Sequence, residues 1–248
     1  MNMRVLVTGG SSGIGAAIAK AFATTGADVT LTFHSGPERA EQIVKEIEKA
    51  GGTAKAVRLD LADHDGIRAA IADHGPFDSL IANAVHWGSM DSFTKSFEEM
   101  PIEEWQASLH ANVLGNVVLA QAVLPGMRRA KFGRIVLVSS GIAEEGTPGS
   151  GPYGTAKAAL HGLSRMIAWQ AGGDGVLVNV VAAGLTNTDS TPIPQEERDA
   201  VAVRTPTRRL STSDDVAALA VFLGSAANRN LTGEIVRDGS NAGRSIHV

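Results

Sequence analysis

The chain has 248 residues, of which 44% are apolar and 19% charged, with a formal net charge of −4. That much apolar material feeds a large core and excludes a disordered chain, and the slightly acidic balance gives no electrostatic case for nucleic acid or an anionic membrane surface. Cysteine is absent, which excludes disulfides, thiolate nucleophiles and thiolate-held zinc.

The first apolar run, Arg4–Val7, reads as a strand and is too short for a signal peptide. It ends in "TGGSSGIG", after which "GAAIAKAFATTG" reads as a helix. Further strands are expected at Asp28–Phe33, Ala54–Leu59, Ser79–Ala82, Arg134–Ser139, Leu177–Val181 and Glu234–Arg237. Between them lie helical patterns. In "ERAEQIVKEIEKAGG", Ile43, Val44 and Ile47 stand among charges before a stop at Gly51 and Gly52. Strand–helix alternation predicts an α/β fold, one doubly wound parallel sheet of about seven strands in a single domain over residues 1–248. The longest strand-to-helix segments, 85–104 and 185–205, follow strands and are expected to be substrate loops, because ligands of such sheets bind at the carboxyl ends of strands. No stretch of about 18 apolar residues suggests a membrane span, and a cytoplasmic location is expected. Seven histidines are scattered, none at a metal-ligand spacing, so no metal site is expected.

The chemistry-bearing patterns begin at the first turn. Gly9, Gly13 and Gly15 follow a strand and open a helix, where backbone N–H groups and the helix dipole suit a pyrophosphate. At the end of the second strand, Phe33 stands where an acid would hold a ribose 2′-hydroxyl; His34 and Ser35 follow and can donate to a 2′-phosphate. Arg39, further along, reads as a solvated charge at a helix start. In "GPYGTAKAAL", Tyr153, the single tyrosine, and Lys157 lie four apart and share a helix face. An ammonium beside a phenol favours the phenolate and is expected to lower the tyrosine pKa, tuning it for proton transfer to a carbonyl oxygen.

The spacing T-G-x-x-x-G-x-G from Thr8 to Gly15 resembles the short-chain dehydrogenase/reductase family, and further marks follow in order. They are Asp60 in "RLDLAD", Asn83 in "IANA", Asn112 in "HANVLG", Ser140 thirteen residues before Tyr153, and the run from Arg209 to Gly239. The resemblance spans essentially the whole chain and implies a Rossmann-type fold. It implies cofactor contacts at Gly9, Ser11, Ser12, Gly13, Ile14 and Gly15, at Asp60 and Leu61, at Asn83 and Ala84, and at Gly184, Thr186 and Thr188, beside His34 and Ser35. It makes Tyr153 the general acid–base. Lys157 tunes it and holds the nicotinamide ribose, Ser140 donates to the substrate oxygen, and Asn112 positions a water in the proton path. Ala82, Val85 and Ala183 replace an asparagine, a glycine and a proline of the family pattern.

The expected function is NADPH-dependent reduction of a ketone or 3-oxoacyl group, small or carrier-bound, with NADP(H) favoured over NAD(H). The branch resembled is that of 3-oxoacyl-carrier-protein reductases and polyketide ketoreductases. Alternatives are an alcohol, sugar or steroid dehydrogenase working oxidatively, or a nucleotide-binding regulatory or scaffold protein without turnover. The helices "LHANVLGNVVLAQAVL" and "TAKAALHGLSRMIAWQAG" are apolar around most of their surface and need cover on more than one side. A homo-oligomer, tetramer or dimer, is expected, with no nucleic-acid or membrane partner.

Overall fold

The computed structural model describes residues 2–89, 95–145, 151–188 and 193–239. In chain order the first half reads β1 (Arg4–Val7), α1 (Gly13–Thr24), β2 (Asp28–Phe33), α2 (Pro37–Lys49), β3 (Thr53–Arg58), α3 (His64–His74), β4 (Ser79–Ala82), α4 (Ile102–Leu109) and α5 (Gly115–Ala130). The second half reads β5 (Gly133–Ser140), α6 (Ile142–Glu145), α7 (Gly151–Ala171), β6 (Val176–Ala183), β7 (Thr186–Asn187), α8 (Gln195–Ala202), β8 (Ser211–Thr212), α9 (Ser213–Leu223) and β9 (Ile235–Arg237). Seven strands form one parallel sheet in the order β3-β2-β1-β4-β5-β6-β9. The chain winds outward from β1 to β3, then returns to β1's other side at β4. That reversal opens a crevice at the carboxyl ends of β1 and β4.

Side chains of a strand alternate between faces, and both faces are apolar here. Leu6, Leu80, Ile135 and Leu137 join one core with Leu119, Val123, Met127 and Leu160 of α5 and α7. Val5, Val7, Ile81, Val136 and Val138 join the other with Ile18 and Phe22 of α1 and Val216 and Leu223 of α9. The helical run Ile102–Ala130 is long and apolar enough by composition to cross a bilayer, contrary to the expectation from sequence. Half of that apolar window is buried inside the fold, the position of a core helix.

Strand limits differ from the sequence expectation where pairing overrides propensity. β3 starts one residue earlier because Thr53 through Arg58 pair with Asp28 through Phe33, and Leu59 turns into the core instead. β6 runs on through Ala182 and Ala183, which pair with Ser139 and Ser140. A two-residue parallel ladder between Thr186–Asn187 and Ser211–Thr212 has no periodic signature and was not expected.

One buried cation closes the opposite edge of the sheet. Arg134 donates to the carbonyls of Ser225, Gly133, Gly175 and Asn228 and lies over the Phe132 ring, with its pKa lowered by burial. Arg134→Leu leaves those acceptors in apolar surroundings. The variant is expected to lose about 2–4 kcal/mol in urea unfolding. An unchanged unfolding midpoint would show that the cage adds nothing.

A candidate active site at the carboxyl edge of the sheet

The first turn is shaped by backbone demands. Gly9 and Gly13 have φ of +65° and +52°, a region that costs other residues strain. A Cβ on Gly15 would lie 2.1 Å from the Gly9 carbonyl oxygen. The turn is stitched across the crevice. Thr8 Oγ1 accepts from the Asn83 and Ala84 amides, each at 3.0 Å, and Asn83 Nδ2 donates to the carbonyls of Thr8 (3.1 Å) and Gly9 (3.3 Å). Asn83 therefore spends its amide on the turn itself. Ser12 caps α1 in an extended conformation without a side-chain capping bond. The helix end is left to an anion, with Ser11 and Ile14 in the same loop.

Past β2, His34 Nε2 stands 3.4 Å from Asp60 Oδ2. Asp60 Oδ1 also accepts from the Ala62 amide at 2.9 Å, and Leu61 is buried behind it. Ser35 is exposed. Gly36 takes φ +71°, and the Arg39 guanidinium folds back to within 3.0 Å of where its Cβ would be. Arg39 thus lies beside the turn at Gly36 and stays exposed, as the solvated helix-start charge expected from the sequence.

Ser140 ends β5, and Tyr153 and Lys157 face it one turn apart on α7. The Ser140 hydroxyl is hydrogen-bonded to the Tyr153 phenol. Lys157 is 4% exposed, and its amine donates to the Val138 carbonyl at 2.7 Å. Its Nζ lies 5.7 Å from the centroid of the Tyr153 ring. Burial pushes the tyrosine pKa up to about 12, against a smaller lowering by Ser140. Burial also pulls the lysine down to about 8. The lowering of the tyrosine expected from a neighbouring ammonium is therefore overruled in the protein itself, because desolvation disfavours both charges.

Asn112 lies in a single π-helical turn, His110–Leu114, between α4 and α5. Such turns often mark functional positions. Its side chain accepts from the His86 amide (2.7 Å) and donates to the His86 carbonyl (2.8 Å) and Ser108 Oγ (3.2 Å). That amide holds the loop after β4. Its backbone carbonyl takes a bond from Asn116 Nδ2 at 2.6 Å. The held loop delivers Trp87 onto the Tyr153 ring, stacked with centroids 4.8 Å apart at 25°. Sequence reasoning missed Trp87, whose only signal was an aromatic in a loop already assigned to substrate.

Beyond β6, the Gly184 amide donates to Asp238 Oδ1 and Thr186 Oγ1 donates to the Gly184 carbonyl, each at 3.0 Å. Thr188 is half-buried further along the same edge. Of the two expected substrate loops, residues 90–94 and 189–192 lie outside the described residues. The glycine turn, the His34–Asp60 edge and the Ser140–Tyr153–Lys157 group thus line the carboxyl ends of β1, β2, β4 and β5.

A family model described as short chain dehydrogenase matches residues 3–199. The chain belongs to the short-chain dehydrogenase family. It is accordingly an NAD(P)-dependent oxidoreductase acting on carbonyl or hydroxyl groups. Among curated relatives, it is 30% identical to the 3-oxoacyl-[acyl-carrier-protein] reductase of Staphylococcus aureus, over 95% of this chain and 96% of that one. Among solved structures, it resembles a 3-oxoacyl-[acyl-carrier protein] reductase with bound NAD from Brucella melitensis. The TM-score is 0.89 at 29% identity, covering 98% of this chain and 92% of the other. A short chain dehydrogenase from Burkholderia cenocepacia in complex with NADP gives a TM-score of 0.84 at 34% identity, covering 97% of each chain.

In this member of the family the Lys157 amine has a stability consequence. A lysine whose folded pKa lies below its unfolded value binds fewer protons folded than unfolded. It costs stability at neutral pH, and the cost fades as pH rises from about 8 towards 10.5. Lys157→Met is therefore expected to stabilise the protein at about pH 7 by roughly 2 kcal/mol in urea unfolding, net of the donor lost from Val138. The gain should vanish by about pH 10. A variant no more stable than the parent at neutral pH would contradict the account.

Proposed function

We propose that the chain is an NADPH-preferring reductase of a ketone or 3-oxoacyl group, small or carrier-bound. The observation that carries the reading is the Ser140–Tyr153 hydrogen bond, with Lys157 one turn further on. Both hydroxyls can address one substrate oxygen. Tyr153 would give that oxygen its proton, and Ser140 would donate a hydrogen bond as negative charge develops there.

The residues fit a nicotinamide dinucleotide. The tight turn, in which Gly15 packs against the Gly9 carbonyl where no Cβ fits, and the end of α1 free of a side-chain cap, suit the pyrophosphate. When bound, the cofactor supplies the hydride. Gly9, Ser11, Ser12, Gly13, Ile14 and Gly15 would hold the phosphates, and Asp60 and Leu61 would flank the adenine. Asn83 and Ala84 would back the turn, and Gly184, Thr186 and Thr188 would meet the nicotinamide side. Lys157 carries three N–H donors when charged and gives one to Val138. The remaining two would hold the ribose diol.

NADP(H) is favoured because His34, Ser35 and Arg39 gather where a 2′-phosphate would sit, with no carboxylate at Phe33. Reduction is favoured because curated relatives at about 30% identity are 3-oxoacyl-[acyl-carrier-protein] reductases, and because Tyr153 carries at neutral pH the proton that an acid needs.

The test follows nicotinamide absorbance with NADPH or NADH against a panel of ketones and 3-oxoacyl thioesters. We expect turnover with a higher kcat/KM for NADPH. Tyr153→Phe should lower kcat by at least about 10²-fold while keeping cofactor binding. Tight cofactor binding without turnover of any substrate would favour a nucleotide-binding regulatory protein. An active Tyr153→Phe would remove the acid assignment.

A homo-oligomer, dimer or tetramer, belongs to the same proposal. Along α7, Thr155, Ala159, Gly162, Met166 and Trp169 recur every three or four residues on the exposed face, and Trp169 is 91% exposed. Light scattering at about micromolar concentration should give at least a dimer mass; a monomer would count against it.

A further inference from the structure

Behind the Ser140–Tyr153–Lys157 group lies a second polar cluster, buried at Ser139 and His161, that the proposed chemistry does not use. Ser139 precedes Ser140 on β5 and, by strand alternation, faces α7. Its Oγ lies 3.0 Å from the Lys157 carbonyl oxygen and 2.9 Å from His161 Nε2. His161 stands one turn beyond Lys157 on the same helix, and its Nδ1 lies 3.7 Å from Glu144 Oε1. Glu144 sits on α6, just after Ser140, and takes the Arg237 guanidinium at the end of β9 through Nε (2.8 Å) and Nη2. Four elements, β5, α6, α7 and β9, thus meet at one imidazole.

Serine, histidine and a carboxylate in this order also describe a nucleophilic triad. That role is excluded here. Ser139 is 3% exposed, so no substrate carbonyl reaches its oxygen.

Proton counting gives the cluster a different job. The Ser139 hydroxyl has one proton and two acceptors within reach. With its proton on Nε2, the imidazole donates to Ser139, and the hydroxyl is free to bind the Lys157 carbonyl. With the proton on Nδ1, the imidazole faces Glu144, and the hydroxyl turns to Nε2 and releases that carbonyl. The groups around the ring decide its charge. Burial, Arg165 and Arg237 lower the His161 pKa, and Glu144 opposes them. The ring is therefore neutral at neutral pH. Glu144 Oε1, at 3.7 Å from Nδ1, is beyond hydrogen-bond reach, whereas both Ser139 contacts are within it, and only the Nε2–H tautomer satisfies both. His161 then donates to Ser139 and Ser139 to the Lys157 carbonyl, which ties the end of β5 to the helix that carries Tyr153 and Lys157.

We propose that His161, backed by Glu144 and Arg237, is a positioning residue for the reaction, fixing through Ser139 the seat of Ser140 against Tyr153 and Lys157. The inference rests on the reductase reading for its kinetic consequence and not for its structural one.

Two measurements test it. Ring-nitrogen NMR of histidine needs no turnover. It should show His161 protonated at Nε2 in the parent and shifted towards Nδ1 in Ser139→Ala, where Glu144 is the remaining acceptor beside the ring. An Nδ1–H imidazole in the parent, or a tautomer unmoved by Ser139→Ala, overturns the proposal even if the protein reduces ketones. If the tautomer behaves as expected and no substrate is reduced, the functional reading alone fails.

Kinetics supply the second arm. His161→Leu should lower kcat roughly tenfold, with the KM for NADPH changed less than about twofold. It should also erase an inflection of kcat on the acid side of the ordinary histidine range. His161→Gln, whose side-chain amide can donate to Ser139, should recover most of the kcat but not the inflection. Identical kcat–pH profiles for the parent and His161→Leu overturn the proposal. Should His161→Leu fail to fold, Ser139→Ala decides: a comparable drop in kcat supports it, and an unchanged kcat overturns it.

Discussion

The amine of Lys157 is buried against a backbone carbonyl, and the rest of the site is arranged around that costly placement. Moving an ammonium out of water is unfavourable unless its donors are satisfied. Val138 satisfies one at 2.7 Å. The amine can be held there because β5 is clamped on both sides, by β4 and by β6, with apolar layers on both faces. Those layers supply the hydrophobic stabilisation that offsets an under-satisfied charge. Stability spent in this way is characteristic of functional positions. The sheet therefore does more than display the reacting groups: it forces them into a medium where their proton affinities move.

The same crevice explains why three departures from the family pattern are tolerated. Ala82 is buried in the core cluster that lines β4 and takes an apolar slot there. Val85 is only half-buried, so its branches have room at the loop start. Ala183 ends β6 in the opposite core, where it pairs with Ser140 across the strands. None of the three carries a bond that shapes the turn. That work falls to Thr8 and Asn83, which are intact and bonded to each other across β1 and β4.

What could be read from the sequence was whatever depends on local spacing or on backbone geometry. Alternating strand and helix patterns give the parallel sheet. Gly9, Gly13 and Gly15 mark the turn because only residues without a Cβ satisfy its dihedrals and close approach. Tyr153 and Lys157 share a face because α-helices repeat every 3.6 residues. What could not be read depends on residues distant in sequence. Glu144 and Arg237 are 93 positions apart, and nothing near either predicts the pair. Trp87 reaches Tyr153 only because Asn112, 26 positions from His86, fixes both backbone groups of that residue. The ladder of Thr186–Asn187 with Ser211–Thr212 is too short to leave a periodic signal.

The inverted acidities of Tyr153 and Lys157 bear on the proposed chemistry. Free tyrosine and lysine titrate close together. Here burial separates them, the lysine at about 8 and the tyrosine at about 12. As pH rises the amine gives up its proton well before the phenol does. At neutral pH the protein alone therefore holds a neutral phenol beside the lysine, and not a phenolate. A neutral phenol bonded to Ser140 is a donor with a waiting partner, the form needed to protonate a carbonyl. The phenolate needed for oxidation has to be bought from elsewhere, by positive charge brought close to the ring. In the proposed reaction the site as folded would hold the proton that a carbonyl needs, and positive charge brought beside Tyr153 would favour the phenolate that accepts an alcohol's proton.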